Sequence, residues 1–508
     1  MTVVSTNPAT GATRELGVAE TAPGEVAALA ARAAAAAPDL AARPLAWRGA
    51  LLEAMADALE SDADALVALA REETGLPEAR LRGELARTAF QLRFFATVVA
   101  EGSFLAISLD EARPSPMGPL PDLRRMRVPL GPVAVFGSSN FPFAFSVPGG
   151  DTASALAAGC PVVIKAHPAH PATSEASFAA LARAARSLGA PEATLGLVFG
   201  LEAGTALVEA PDIAAVGFTG SATAGRLLWA RAHARPTPIP FYGELGAANP
   251  LVVTPRAAQE RAAEIGAGAA GSVTLGAGQF CTKPGLLFVP AGPEGDQLVA
   301  AMAAALAGFQ DVTMLSAGVA SSYRRRAREI EGASGTTVLV GGDLGDGART
   351  SAHLVEIEAA DFARSPGTHA ECFGPLAVVV RYHSTVELRA TLLAGEPALT
   401  FSAHLGTADP DSAWLVAMGA RRSGRVVVNG YPTGVGVSWS MHHGGPWPAT
   451  TVPSATSVGA AAIERWLRPV TYQSVPDELL PPALRWDNPL ALPRRVNGVA
   501  ESPAPPRT

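Results

Sequence analysis

Between residues 131 and 254 the chain alternates short apolar runs with amphipathic segments, and this alternation constrains the fold more than any other feature. Segments such as residues 174–189 have the three- and four-residue spacing of a helix and end at Gly189, a good helix stop. Strands that alternate strictly with helices form a parallel sheet, and ligands bind beyond the carboxyl ends of its strands. The sequence therefore predicts an α/β fold with strands in the runs VAVFG (133–137), PVVIK (161–165), LGLVFG (195–200), AAVGFTG (214–220), IPFYGEL (239–245) and PLVVT (250–254).

The regions on either side differ in character. Residues 23–102 have helical spacing throughout, whereas prolines and short apolar pieces in residues 103–130 predict an extended excursion or a hairpin. Residues 255–452 repeat the mixture of strand and helix signals and predict a second α/β domain. The chain is proline-rich from residue 470 onward, and we expect its last dozen residues, 497–508, to be disordered.

Composition and charge exclude several classes of protein. The 39 Lys and Arg against 46 Asp and Glu give a net charge of −7, and no long basic run is present to bind nucleic acid. The amino terminus does not resemble a signal peptide, and the apolar stretches fall short of the roughly 20 residues that a membrane-spanning helix needs. We therefore expect a cytoplasmic protein with no nucleic-acid or membrane partner.

The cysteines and histidines favour a free thiol over a metal site. Only three cysteines occur, and their odd number and wide spacing fit neither a disulfide framework nor a zinc motif, so at least one thiol is free. His442 and His443 are adjacent, which points them in different directions on a regular element, and no third ligand is in view. We predict an ordinary loop role for this pair and no metal site.

The GxGxxG, P-loop, HExxH and GxSxG motifs are missing.

Cys281 lies in the segment TLGAGQFCTKPG, where glycines precede it and Pro284 and Gly285 follow it. Such a tight, irregular segment lets backbone N–H groups and a ligand approach the sulfur closely, as a nucleophile requires. A free cysteine is in general more often a small buried hydrophobe, as Cys160 in ALAAGCPVVIK is expected to be. The spacing alone is equally compatible with a reactive and a packing role for Cys281.

Five short motifs lie in an order and at a spacing that resemble the aldehyde dehydrogenase superfamily, over most of residues 130–450. They are SNFP (139–142), FTGS (218–221), GELG (243–246), GQFC (278–281) and ECFGP (371–375). The resemblance implies an aldehyde dehydrogenase-like fold, with two α/β domains built on parallel sheets and a small oligomerisation sheet. By that analogy residues 1–102 and 131–250 form the dinucleotide-binding domain, 251–455 the catalytic domain, 103–130 and 456–485 the oligomerisation segments, and 486–508 a tail. The same analogy implies a homodimer or homotetramer.

The resemblance implies three catalytic residues: Cys281 as the nucleophile, Glu244 as the base and Asn140 as the oxyanion donor. The chemistry requires these types, because a thiolate attacks the aldehyde carbon and donors must lie where the alkoxide charge develops. The thioester that remains is hydrolysed when a carboxylate draws a proton from water. From the residues alone, Ser-Ser-Asn after a glycine favours an ordinary turn role for Asn140. Glu244 is equally a solvated carboxylate, although its apolar neighbours favour a half-buried one with a raised pKa.

The resemblance also implies a cofactor site. Phe218, Gly220 and Ser221 end a strand and open a helix, so backbone donors and the helix dipole face a pyrophosphate. Lys165 matches the lysine that binds the adenosine ribose, and Glu371 and Phe373 lie in the segment at the nicotinamide ribose. Many NAD-preferring members carry a glutamate three residues after the lysine, whereas this chain has Pro168. A carboxylate would repel a 2′-phosphate, so its absence predicts NADP, alone or alongside NAD.

The segments KAHPAHP (165–171) and MHHGGPWPATT (441–451) resemble the 2-oxoglutarate semialdehyde (2,5-dioxovalerate) dehydrogenase branch. The resemblance implies oxidation of 2,5-dioxopentanoate to 2-oxoglutarate. The alternative within the family is an NADP-dependent fatty or general aldehyde dehydrogenase. A more distant alternative is a cofactor-independent thiol acyltransferase or hydrolase that pairs Cys281 with a histidine base. A dicarboxylate-forming substrate needs a cation in the acyl pocket, and the sequence does not identify the arginine that supplies it.

Overall fold

The computed structural model describes residues 1–501, which form three sheets of five or more strands and the helices packed on them. The strands are β1 (Thr2–Thr6), β2 (Thr13–Ala19), β3 (Ile107–Asp110), β4 (Arg113–Ser115), β5 (Gly118–Leu120), β6 (Leu123–Pro129), β7 (Val133–Phe136), β8 (Val162–Lys165), β9 (Leu195–Val198), β10 (Ala215–Thr219), β11 (Phe241–Glu244), β12 (Asn249–Val253), β13 (Pro284–Pro290), β14 (Val312–Thr313), β15 (Thr336–Val340), β16 (Arg349–Thr350), β17 (His353–Glu358), β18 (Leu376–Tyr382), β19 (Ala398–His404), β20 (Ser423–Val428), β21 (Leu467–Gln473), β22 (Arg494–Val496) and β23 (Val499–Glu501).

The helices are α1 (Pro23–Ala42), α2 (Leu45–Ser61), α3 (Ala63–Thr74), α4 (Glu78–Glu101), α5 (Gly150–Ala158), α6 (Pro171–Ser187), α7 (Leu201–Glu209), α8 (Ala222–Ala234), α9 (Pro255–Thr274), α10 (Pro293–Ala307), α11 (Ala317–Glu331), α12 (Ala359–Arg364), α13 (Thr385–Ala394) and α14 (Ser412–Arg422). Short 3-10 helices occupy Ser103–Leu105, Leu275–Gly278, Pro366–Thr368, Ala460–Trp466, Asp477–Leu479 and Pro482–Leu484. None of the described helices is both long and apolar enough to cross a membrane.

The first sheet has the strand order β11-β10-β7-β8-β9, and every neighbouring pair is parallel. Its strands are apolar runs because helices cover both faces. Val133 and Val135 of β7 pack into the core beneath α2 and α4–α6, and Ala134 and Phe136 pack into the core beneath α1, α7 and α8. The predicted parallel sheet is confirmed, with five of the six apolar runs as its strands.

The sixth run, residues 250–254, lies in a different sheet. β12 begins at Asn249 and is a central strand of the second sheet, whose order is β15-β17-β18-β13-β12-β19-β20. All its neighbours are parallel except β15, which is antiparallel to β17. An apolar run shows that a strand is buried but not which sheet it joins. The chain crosses between the sheets in residues 245–248.

The small sheet has the order β21-β6-β3-β22-β23. Residues 103–130 supply β3 and β6, and β21 pairs with β6 in an antiparallel register from Leu467 opposite Pro129 to Gln473 opposite Leu123. The expected disorder of residues 497–508 is wrong for residues 497–501, because β22 pairs in parallel with β3 and β23 closes the edge. The amide oxygen of Asn497 also accepts the Glu111 N–H at 3.0 Å. Residues 502–508 lie outside the described part of the chain.

Candidate active site

Cys281 follows α9 in a turn that brings two of the sequence motifs together. Gly276, Ala277 and Gly278 adopt left-handed conformations, with φ of 57°, 57° and 67°. A Cβ on Gly278 would lie 2.3 Å from the backbone carbonyl carbon and oxygen of Gly374, so only glycine allows this close approach. GQFC therefore packs backbone against backbone on ECFGP, and the Cys281 thiol remains partly exposed.

The backbone of the cysteine turn is fixed by a buried amide that the sequence analysis did not identify. Asn249, fully buried at the start of β12, donates through Nδ2 to the carbonyl oxygens of Cys281 at 2.8 Å and Lys283 at 3.0 Å. Its Oδ1 accepts the Thr400 N–H at 3.0 Å. Because all these groups are buried or nearly so, the amide defines where the cysteine backbone lies.

Asn140 lies directly beside this turn. It is 7% exposed, and its Nδ2 donates to the carbonyl oxygen of Gln279 at 2.9 Å. The backbone carbonyl oxygen of Asn140 accepts a hydrogen bond from Arg80 Nη2 at 2.7 Å. The side-chain amide is thus held two residues from Cys281, and its second N–H is not used by a described residue.

Glu244 ends β11 with its carboxyl group buried. Glu244 is 8% exposed, and its Oε2 is a buried oxygen with no hydrogen-bond partner among residues 1–501. Burial raises the pKa of Glu244 to about 8, with Asp151 adding to the rise and Arg465 opposing it. Glu244 lies close enough to Cys281 for its charge to raise the pKa of the thiol. The burial and raised pKa that its apolar neighbours favoured are both present.

His443 also faces Cys281, so the ordinary loop role expected for the His442–His443 pair is wrong for His443. Its Nε2 lies 3.6 Å from Cys281 Sγ. The backbone of His443 donates to Thr456 Oγ1 at 2.8 Å and accepts from the Ser457 N–H at 2.9 Å. Burial, Arg425 and Arg87 lower the pKa of His443 to about 3, so its imidazole is neutral at pH 7.

Both members of the Cys281–His443 pair are therefore uncharged before substrate binds. Burial raises the pKa of Cys281 to about 12, and the negative charges of Glu244 and Glu371 add to that effect while Arg425 opposes it. A neutral imidazole next to a thiol can accept its proton. The two other cysteines are packing residues, with Cys160 0% and Cys372 4% exposed.

The residues expected to bind the cofactor lie at the carboxyl ends of β8 and β10. Lys165 ends β8 and is 7% exposed, and burial lowers its pKa to about 8 while Glu20 opposes the fall. Phe218 packs on Phe136 with ring centroids 5.9 Å apart. Ser221 caps α8, since its Oγ accepts the Ala224 N–H at 3.3 Å.

The donors at this edge of the sheet have the chemistry that an anionic dinucleotide requires. The Lys165 amino group and the first turn of the 13-residue helix α8 lie at the same edge of the sheet, where charge and the helix dipole would stabilise a pyrophosphate. Gly220 must lack a side chain, because a Cβ there would lie 2.8 Å from the Phe218 ring. The chemistry of the donor set therefore matches the cofactor that the sequence motifs implied.

Glu371 packs on the GELG motif. A Cβ on Gly246, whose φ is 80°, would lie 2.4 Å from Glu371 Oε2. Burial raises the pKa of Glu371 to about 7, with Lys283 opposing the rise. Lys283 Nζ donates to the Cys372 carbonyl oxygen at 2.9 Å, which fixes the segment that carries Glu371 and the partly buried Phe373.

Comparison with known proteins decides the family. A model of the aldehyde dehydrogenase family matches residues 1–448. The chain belongs to the aldehyde dehydrogenase family. The resemblance drawn from the five motifs is thereby confirmed, together with the α/β fold of two domains and a small separate sheet.

Relatives within the aldehyde dehydrogenases are close. The chain is 47% identical over 466 residues to alpha-ketoglutaric semialdehyde dehydrogenase 2 of Azospirillum brasilense, and the matched region covers 91% of this chain and 89% of the relative. It is 41% identical over 458 residues to alpha-ketoglutaric semialdehyde dehydrogenase of Acinetobacter baylyi, and the matched region covers 89% of this chain and 87% of the relative. The NADP-dependent glyceraldehyde-3-phosphate dehydrogenase of Bacillus halodurans, solved with NADP, has the same fold, with a TM-score of 0.79 and 23% identity over 94% of this chain and 96% of the other.

The site of this aldehyde dehydrogenase contains residues that the sequence did not place beside the thiol. His443 is 162 positions from Cys281, and Asn249 is 32 positions away, so only the fold brings them to the thiol. A polar residue at the start of a buried strand was the one available signal for Asn249. Residues 1–501 contain no group of three or more His, Cys, Asp or Glu side chains that could hold a metal ion.

Proposed function

We propose that this enzyme oxidises 2,5-dioxopentanoate to 2-oxoglutarate through a thioester on Cys281, with NADP as the electron acceptor. The observation that carries the proposal is the grouping of a partly exposed thiol with the Asn140 amide, the His443 imidazole and the buried Glu244 carboxyl. The substrate is proposed from the two relatives named alpha-ketoglutaric semialdehyde dehydrogenase, at 47% and 41% identity.

The first step forms the carbon–sulfur bond. As Cys281 Sγ attacks the aldehyde carbon, its proton leaves by way of His443 Nε2, which lies 3.6 Å away and is neutral. Because the pKa of His443 is lowered to about 3, the imidazole passes the proton on to solvent and does not keep it. The carbonyl π electrons move to oxygen and produce an alkoxide. Because the free N–H of Asn140 and the backbone N–H of Cys281 surround this position, they stabilise the charge where it develops.

The second step converts the adduct into a thioester. The alkoxide re-forms the carbonyl and the carbon–hydrogen bond breaks, releasing a hydride with two electrons. A bound nicotinamide supplies the acceptor for that hydride. In this proposal Lys165 and the α8 amino terminus hold the adenosine and pyrophosphate, and Glu371 with Phe373 holds the ribose next to the ring.

The third step releases the acid. Glu244 takes a proton from water as the water oxygen attacks the thioester carbon, and the Cys281 thiolate leaves. A pKa raised to about 8 suits this task, since a base is most effective when its pKa is near the working pH. Glu244 Oε2 has no hydrogen-bond partner among residues 1–501, so it can accept a hydrogen bond from this water.

The preference for NADP rests on the residue at position 168. Pro168 places no carboxylate beside Lys165, whereas a carboxylate there would repel a 2′-phosphate. We expect kcat/KM with NADP to equal or exceed that with NAD. Strict dependence on NAD would contradict the preference without affecting the proposed chemistry.

A second candidate function is thiol acyl transfer or hydrolysis without a cofactor, which the Cys281–His443 contact favours. The cofactor separates the two candidates. We expect NADPH to form only when aldehyde, NADP and wild-type enzyme are all present, and Cys281→Ser to abolish it. Ester hydrolysis that is fast and unchanged by NADP, with no NADPH formed from any aldehyde, would favour the second candidate.

The substrate is tested by a panel that includes 2,5-dioxopentanoate, a long alkanal and pentanal. The proposal expects the highest kcat/KM for 2,5-dioxopentanoate, whereas the highest value for the long alkanal would favour a fatty aldehyde dehydrogenase.

We also propose a homodimer or homotetramer assembled through the small sheet, in which residues 123–129 pair with residues 467–473. Light scattering after gel filtration gives the mass that tests it.

A further inference from the structure

Two arginines that no sequence motif marks lie beside the catalytic thiol: Arg87 of α4 and Arg425 of β20. The guanidinium carbon of Arg87 lies 5.3 Å from the centre of the Phe145 ring, and that ring lies 6.4 Å from the imidazole of His443. Both guanidinium groups are close enough to His443 to lower its pKa, and both interact with the charge of Cys281. They therefore border the space in front of Cys281 Sγ.

One loop holds both side chains at this position. Arg425 donates through Nη1 to the Gly434 carbonyl oxygen at 2.8 Å and through Nη2 to that of Pro432. Arg87 donates through Nη2 to the carbonyl oxygen of Val435, the next residue, at 3.2 Å. Because consecutive carbonyl groups of one loop accept hydrogen bonds from the two arginines, the guanidinium groups lie near each other although one comes from α4 and the other from β20.

Neither arginine has an anionic partner among the described residues. No carboxylate lies within 4.0 Å of either guanidinium, although other buried arginines such as Arg465 and Arg381 form such pairs. The carboxylate that interacts electrostatically with Arg87 is that of Glu84, which forms no salt bridge with it among residues 1–501. Glu84 Oε1 accepts the N–H groups of Phe143 and Ala144 at 2.8 and 3.0 Å, and its buried Oε2 has no hydrogen-bond partner among residues 1–501. Arg425 Nε is buried without a hydrogen-bond partner.

Two half-buried cations of like charge at one place are unfavourable unless an anion joins them. We propose that Arg87 and Arg425 bind the carboxylate of the substrate, so that the acyl pocket selects short aldehydes that end in a carboxylate. This inference rests on the proposed function, which places the aldehyde carbon at Cys281. Guanidinium groups match a carboxylate with paired N–H donors, and in 2,5-dioxopentanoate the carboxylate is at the opposite end from the aldehyde.

A different role for the same pair is to stabilise the Cys281 thiolate directly. The two roles differ in how they depend on the substrate. Loss of a carboxylate-binding group affects only substrates that carry the carboxylate, whereas loss of thiolate stabilisation affects every aldehyde. The ratio of kcat/KM for 5-oxopentanoate to that for pentanal isolates the difference, because these aldehydes have the same chain length.

The experiment compares Arg87→Gln and Arg425→Gln with the wild type on 2,5-dioxopentanoate, 5-oxopentanoate and pentanal. Arg325→Gln is the matched control, since its side chain is 70% exposed on α11. We expect each pocket variant to lower the 5-oxopentanoate to pentanal ratio by about a hundredfold, the effect of losing a charge-assisted contact. The control ratio should not change. An equal fall with both aldehydes would overturn the inference and assign the arginines to the thiol.

A measurement on the wild type covers the case in which a variant does not fold. Glutarate, a dicarboxylate without an aldehyde, should compete with pentanal and slow alkylation of Cys281 by iodoacetamide, whereas neutral pentanamide should do neither. Equal effects of the two compounds would contradict the inference. If the enzyme favours 5-oxopentanoate over pentanal but rejects 2,5-dioxopentanoate, the proposed substrate fails and the arginine inference stands. If it favours pentanal, the arginine inference fails while the thioester chemistry stands.

Discussion

Replacing Asn249 by alanine should damage both stability and catalysis, because this one amide joins the second sheet to the cysteine turn. Its side chain makes four hydrogen bonds, to the carbonyl oxygens of Ala247, Cys281 and Lys283 and from the Thr400 N–H. The two N–H groups of the amide serve three carbonyl oxygens, so the four contacts amount to about three full hydrogen bonds. A net hydrogen bond contributes about 1 kcal/mol, so the variant should lose about 3 kcal/mol of unfolding free energy. For a domain of this size that loss lowers the melting temperature by roughly 10 °C.

Catalysis should fall because the released carbonyl groups let the Cys281 backbone shift. A displacement of about 1 Å at a reacting group costs about a hundredfold in rate, so we expect kcat/KM with pentanal to fall by that factor. The assays are thermal denaturation and NADPH formation. Asn7→Ala is the matched control, because the Asn7 amide oxygen also accepts two backbone N–H groups, but in the turn after β1. An Asn249→Ala enzyme with unchanged melting temperature and rate would refute the argument.

Three further predictions concern the groups around the thiol. Glu244 must be ionised to act, and its pKa is raised to about 8. The rate of thioester hydrolysis should therefore rise with pH through about 8, and Glu244→Gln should remove that inflection. A flat pH profile of the wild-type rate would contradict the role of Glu244 as the base. Gly246→Ala should raise the KM for NADP about tenfold by displacing Glu371, whereas Gly11→Ala, with a similar φ of 74° and open space around it, should leave KM unchanged. His443→Ala should slow iodoacetamide alkylation of Cys281 at pH 7 about tenfold, and an unchanged rate would exclude His443 as the proton acceptor.

Local signals in the sequence predicted the first sheet well. Its strands are continuous apolar runs bounded by Gly or Pro because helices cover both faces, and such runs are recognisable without knowledge of their neighbours. The same signal could not place residues 250–254, since β12 has the same composition but joins the other sheet. Composition also failed at residues 497–501, where backbone pairing of β23 with β22, which itself pairs with β3, orders a segment that has few apolar residues.

The site was predicted where a motif carries the chemistry and missed where the fold assembles it. Cys281, Glu244 and Asn140 each lie in a short recognisable segment, and the structure brings these segments together. His443, Arg87 and Arg425 come from three separate parts of the chain, and Arg87 is 348 positions from the carbonyl group that holds it. The residues around Arg87 and Arg425 resemble ordinary helix and strand sequence, and residues 441–451 around His443 indicated the branch of the family but not a position beside the thiol. Contacts of this range are properties of the tertiary structure and leave no local pattern to read.

The central claim, an acyl-enzyme on one particular sulfur, is tested most directly by mass spectrometry of the Glu244→Gln enzyme. With NADP and substrate present, this variant should form one equivalent of NADPH rapidly and then stop, because the thioester is no longer hydrolysed. The peptide that contains Cys281 should gain the mass of the substrate acyl group, and Cys281→Ser should show no such peptide. An acyl group on Cys160 or Cys372, or NADPH formation with no acylated peptide, would contradict the account.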